Sequence, residues 1–270
     1  VSNLDFLDTI SKQRSLFERI LGKNTLSNVV ATNQLITVWG TQGGVGCSTV
    51  TAVLAKMLHQ YGFTVIVLET TPTGGSFLRC LSKKPVDRGI DTIVHRDREN
   101  LNSALQTIRI DAIKGLSVLP RSGSPANTEN DWSEEEARAL YHWAKKQAAF
   151  VLVDAGGMYC SGLSRVALSE ADRIVAVVRG TQIGNDFAIR FHEIFRQMEL
   201  DHKIIWMLNQ AEDTDKREFE VETGLDVSAY LGWNKDISCL ENGDSVPKSA
   251  HTQIEQLLGR ILNAPSSRIF

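Results

Sequence analysis

The stretch that most restricts what this chain can fold into runs from Leu35 to Tyr61. Leu35-Ile36-Thr37-Val38-Trp39-Gly40 is apolar and β-branched, as a strand buried on both faces is. Thr41-Gln42-Gly43-Gly44-Val45-Gly46-Cys47-Ser48-Thr49 follows, and then Val50 to Leu58, with Ala52, Leu54, Ala55 and Leu58 among good helix formers. A glycine-rich turn lets backbone amides converge on one point. The helix it opens into adds free N–H groups and the positive end of its dipole. Strand, Gly-Gly-Val-Gly, Ser-Thr and helix in this order predict a phosphate cradle. Ser48 stands where the hydroxyl after such a loop reaches Mg²⁺.

The rest of the chain repeats strand then helix. Thr64 to Leu68, Leu116 to Pro120, Phe150 to Asp154, Arg173 to Val178 and Lys203 to Asn209 read as further buried strands, with helical patterns in most gaps. Ser133 with Glu136 three residues on is a capping box. The pattern predicts an α/β fold, a mostly parallel sheet flanked by helices. Ligands of such sheets sit at the carboxyl ends of strands. Glu69 and Asp154 both stand there. Asp154 reads as the acid that orients a metal or its water, or else as a turn cap before Gly156-Gly157. Glu69 on its residues alone reads as a solvated strand-end acid. Asn209 on its residues alone reads as a turn residue before Gln210.

Gln42-Gly43-Gly44-Val45-Gly46-Cys47-Ser48-Thr49 resembles the deviant Walker A motif of the ParA/MinD family, Lys-Gly-Gly-x-Gly-Lys-Ser/Thr. The family's signature lysine falls on Gln42 and its second lysine on Cys47, while Thr41 replaces the leading glycine. Lysine-poor loops of this kind occur in the TadZ/CpaE branch that serves pilus assembly, which this chain resembles most, and in the BcsQ proteins of cellulose secretion. The resemblance implies a P-loop NTPase architecture over 31–270. It implies ATP with Mg²⁺ as ligands. Residues Gln42, Gly43, Gly44, Val45, Gly46, Cys47, Ser48, Thr49 and Asn209 would hold the nucleotide. Ser48 and Asp154 would hold the metal, and Glu69 and Asp154 would serve hydrolysis. Leu231-Gly232-Trp233-Asn234-Lys235-Asp236 and Asn242 to Pro247 resemble the family's base-flanking segments.

Both loop charges are missing. One charge pair about 4 Å apart, at an effective dielectric of about 20, is worth roughly 4 kcal/mol before desolvation. Amides, Mg²⁺ and the helix dipole remain, so binding is expected to survive where hydrolysis is weak or absent. Arg79, Arg121 and Arg165, in loops near predicted strand ends, are candidate substitute cations. Cys47 has two readings, a small neutral filler and a thiol activated at a helix N-terminus.

The formal net charge of −3 gives no overall field towards DNA or acidic lipid, so specific nucleic-acid binding is not supported. The four cysteines, Cys47, Cys80, Cys160 and Cys239, form no C-x-x-C pair, which argues for a reducing cytoplasm. No apolar run has the length of a membrane span. Residues 1–30 read as a helical extension or linker, with Leu4, Leu7, Ile10, Phe17, Ile20 and Leu21 on one face. The chain opens on Val1, as a fragment lacking an N-terminal receiver-like domain would. Near the C-terminus Ile254, Leu257, Leu258, Ile261 and Leu262 form a stripe in which Arg260 is the single added positive charge, unlike a basic membrane helix. The expectation is a cytoplasmic protein, recruited to the inner face of the membrane or to a cell pole. It is expected to form a homodimer and to work with components of a pilus or secretion apparatus. The rivals are a nucleotide-free scaffold, a cellulose-secretion factor and a partition ATPase.

Overall fold

The computed structural model describes residues 11–12, 33–71, 74–75, 77–93, 100–123, 132–157, 161–233 and 246–263. The elements are β1 (Gln34–Gly40), α1 (Cys47–Gln60), β2 (Val65–Glu69), α2 (Leu101–Ile108), β3 (Ile110–Ile113), β4 (Leu116–Leu119) and α3 (Glu134–Gln147). They continue with β5 (Phe150–Gly156), α4 (Gly162–Glu170), β6 (Arg173–Arg179), α5 (Gln182–Gln197), β7 (Ile204–Asn209), α6 (Asp213–Thr223), β8 (Val227–Leu231) and α7 (Lys248–Asn263). The helical extension expected in 1–30 lies outside the described residues, apart from Ser11 and Lys12.

The eight strands form one sheet in the order β3-β4-β2-β5-β1-β6-β7-β8. All neighbours are parallel except β3 and β4. The mostly parallel α/β architecture expected from the strand–helix alternation is present. Two strands lie beyond that expectation. β3 is a short hairpin partner of β4, joined through Lys114-Gly115 with Gly115 at φ 94°. Its half-exposed pattern carries little apolar signal. β8 alternates buried and half-buried residues at the opposite edge.

Side-chain alternation divides the core in two. On one face Ile36, Val38, Val65, Val67, Val175 and Val177 meet α1 and α7. On the other, Leu35, Trp39, Ile66, Leu68, Ile174 and Ala176 meet α3, α4, α5 and α6. Trp39 is fully buried and stands edge-on to Phe191 and Phe195, with ring centroids 4.5 and 5.1 Å away. That packing pins α5 to the central strand β1. The capping box is present: Ser133 N donates to Glu136 Oε2 at 2.8 Å and Glu136 N donates to Ser133 Oγ at 3.3 Å. The apolar stripe of α7 is core, since Ile254, Leu257 and Leu258 are 0% exposed. It packs on β8 and α1. No helix among the described residues is long and apolar enough to cross a membrane.

Candidate nucleotide site

Five consecutive strands, β2, β5, β1, β6 and β7, bring their carboxyl ends to one edge. β1 runs there into the glycine loop, and α1 leaves it. The turn from strand to helix is tight enough to demand glycine at two places. A Cβ on Gly40 would lie 2.6 Å from Cys47 Sγ and 2.6 Å from Val45 Cγ2. Gly46 has φ 97° and ψ 28°, and a Cβ there would lie 2.3 Å from Asn209 Nδ2. Gly46 also caps α1 without a side-chain hydrogen bond. The first-turn amides of α1 are thus left for another acceptor, as at an anion site.

The expected loop residues divide by exposure. Gly43 and Gly44 are exposed; Gln42, Gly46, Ser48 and Thr49 are half-buried; Val45 and Cys47 are buried in the core. Cys47 corrects one of its two readings. The thiol is 7% exposed, and burial first, then the Asp154 carboxylate, pushes its pKa far above the usual thiol range. Desolvation outweighs the helix N-terminus, so Cys47 is a filler under Gly40 and not an activated thiol.

Ser48 and Asp154 come together from α1 and β5. Ser48 Oγ donates to Asp154 Oδ2 at 2.6 Å. Asp154 is 1% exposed, and its Oδ1 has no hydrogen-bond partner among the described residues. Burial is the main force raising its pKa to about 7; the Glu69 charge adds to this, while the Ser48 hydroxyl and the Gly156 amide oppose it. A buried carboxylate oxygen without a donor, beside a hydroxyl and a glycine loop, is an arrangement a cation completes. Among the described residues no group of three or more His, Cys, Asp or Glu side chains is placed to hold a metal ion. A cation here would therefore depend on Ser48, Asp154 and phosphate oxygens, the mode Mg²⁺ favours.

Glu69 and Asn209 have duties the sequence did not reveal. Glu69 is 2% exposed and beside Asp154 in the strand register. Its Oε1 accepts from Gly75 N at 2.7 Å and Phe77 N at 3.0 Å, and its Oε2 accepts from Arg121 N at 3.1 Å. It ties the loop after β2 to the end of β4. Asn209 Nδ2 donates to Val45 O at 2.7 Å, so the amide braces the glycine loop from the end of β7. Of the candidate cations, Arg79 is exposed and Arg121 contributes its backbone to Glu69. Arg165 pairs with Glu134 at 3.6 Å. Among the described residues, a cation on the loop is Arg179, whose guanidinium donates to Gly44 O at 3.3 Å. It ends β6 one residue beyond the expected strand. The signal that could have found it was a basic residue at the end of a strand adjacent to β1.

Beyond the ends of β7 and β8 lies a cavity of about 470 Å³ lined by Ala211, Tyr230, Leu231, Trp233, Ala250 and Gln253 among others. Leu231 to Trp233, expected to flank a base, therefore line an open volume, while 234–245 lie outside the described residues.

A mostly parallel sheet with a glycine loop leading from a central strand into a helix, and a Ser–Asp pair beside it, is the architecture of P-loop nucleotide-binding proteins. Solved structures narrow it to the ParA/MinD form of that fold. A ParA family ATPase from Chlorobium tepidum is 20% identical with a TM-score of 0.70, covering 85% of this chain and 98% of its own. The cell division ATPase MinD of Pyrococcus furiosus is 15% identical with a TM-score of 0.68, over 85% and 98%. MinD of Pyrococcus horikoshii, solved with Mg-ADP, is 16% identical with a TM-score of 0.66, over 85% and 99%. Identities this low establish a shared fold. No family model and no curated protein matches the sequence.

Proposed function

We propose that this protein binds ATP with Mg²⁺ in the glycine loop, dimerises, and hydrolyses the nucleotide weakly or not at all. The observation that carries the reading is the Ser48–Asp154 pair, whose buried Oδ1 has no partner among the described residues, beside a glycine turn that gives α1 no side-chain cap. Ser48 and Asp154 would hold the cation, which supplies charge neutralisation to the phosphates when bound. Gly43 to Thr49 would cradle the phosphates, and the cavity at Trp233 would take the base. Weak turnover is supported by Gln42 and Cys47 in the lysine positions and by Glu69, whose carboxylate is occupied by three backbone amides. Asp154 is the one expected catalytic acid left with an unpartnered oxygen. Calorimetric titration with Mg-ATP tests binding, and a phosphate-release assay tests turnover. Saturable binding with little release supports the reading; release at the pace of an ordinary partition ATPase refutes its second half.

The lysine-poor loop supports a role in positioning or assembling a pilus or secretion machine, the setting of the branch it resembles. Work at the inner face of the membrane or a cell pole, with that apparatus as partner, goes with this role. Deleting the gene and scoring surface pili, with a tagged copy followed by microscopy, tests it. Intact pili, with lost cellulose secretion or plasmid loss instead, would assign the protein to another machine. A nucleotide-free scaffold is the second reading. It is favoured by the tie from Asn209 to Val45, which stabilises the loop without a ligand.

A further inference from the structure

We infer that Arg179 supplies from the end of β6 the positive charge that the glycine loop lacks, and that its guanidinium contacts the terminal phosphate of a bound nucleoside triphosphate. This rests on the nucleotide-binding reading above. Register places Arg179 there. β6 pairs with β1, with Val177 opposite Gly40, so the residues after Val177 run alongside the loop that follows Gly40. Arg179 is opposite Asn209 in the β6–β7 ladder. The two strand-end side chains brace consecutive carbonyls, Arg179 on Gly44 and Asn209 on Val45.

The backbone of Arg179 is held by its neighbours, and its side chain is exposed. Thr181 N donates to Arg179 O at 2.8 Å, and a Cβ on Gly184 would lie 2.2 Å from that same oxygen. The first turn of α5 therefore presses directly on the strand end. The guanidinium itself is exposed, and among the described residues no carboxylate pairs with it. One of its five donors rests on Gly44, which leaves a fork suited to phosphate oxygens. The need for such a charge is local. Asp154 and Glu69 are both buried beside the loop, and neither Gln42 nor Cys47 offsets them. A triphosphate adds further negative charge to that edge, and Arg179 is the basic side chain placed to meet it.

A purely structural role, tying down Gly44, makes different predictions, and two variants separate them. Arg179→Gln keeps a donor for Gly44 O but no charge; Arg179→Lys keeps the charge. Affinities for Mg-ATP, Mg-ADP and AMP are measured by calorimetry on the full chain, with thermal melting to confirm the fold. The expected result is wild-type binding of Mg-ATP and a loss of about tenfold or more in Arg179→Gln, with a smaller loss for Mg-ADP and none for AMP. Arg179→Lys should recover much of the loss, and so should Gln42→Lys in the Arg179→Gln background. Wild-type affinity in Arg179→Gln overturns the inference while leaving nucleotide binding intact. Equal losses for all three nucleotides with a lowered melting temperature also overturn it, in favour of the structural tie. If the wild-type protein binds no nucleotide, the proposed function falls and this inference with it.

Discussion

Asp154 is a side chain whose chemistry is strongly altered by its place in the fold. Its carboxyl has a folded pKa of about 7, raised chiefly by burial. The unfolded value is about 4, so ionising it opposes folding. The stability it contributes is complete below about pH 4 and is lost as pH rises through about 7. A bound cation needs the carboxylate, so binding below pH 7 should release a proton. Mg-ATP affinity should therefore climb between about pH 5 and 7 and level off above, with heats that depend on buffer ionisation enthalpy. A flat pH profile would mean that Asp154 does not face the cation. Cys47 gives a second expectation. In the native protein it should react with iodoacetamide more slowly than half-buried Cys80, read by peptide mapping after brief alkylation. Faster labelling of Cys47 would contradict its burial.

Among the elements, β2 is tied to the short 3₁₀ helix at Phe77–Leu81 by the carboxylate of Glu69. Glu69→Ala would leave the amides of Gly75, Phe77 and Arg121 without their acceptor in a buried setting. The cost should be about 3 kcal/mol, a fall of roughly 6–12 °C in melting temperature. A change within a degree or two would show that water replaces the carboxylate. Trp39→Ala should cost a similar 3–5 kcal/mol or so through the cavity left between β1 and α5. Here the limits of sequence reading are physical. The buried strands were legible because both faces are apolar, and the tight turn from β1 into α1 because its glycines come in a set order between strand and helix. β3 and β8 were not, because edge strands with half-exposed faces lack that signal. The duties of Asn209 and Arg179, and the tie from Glu69 to Arg121, were hidden because each acts on a backbone group far away in sequence. Only strand register brings Asn209 to Val45 and Arg179 to Gly44.

For the whole molecule, the sheet order sets the arrangement. β1 lies between β5 and β6, so the loop that follows it has Asp154 on one side and Arg179 on the other. The two cores fix this edge from both faces, which is why a site so poor in charge can still be held in shape. The account stands on nucleotide binding at that edge, and titrating Mg-ATP into the wild-type protein and into Gly46→Val examines it directly. A side chain at Gly46 would be strained at φ 97° and would strike Asn209. The account predicts a saturable, Mg²⁺-dependent heat for wild type that disappears in Gly46→Val while circular dichroism confirms that the variant is folded. No saturable heat from wild type at millimolar nucleotide, or an undiminished heat from Gly46→Val, would contradict it.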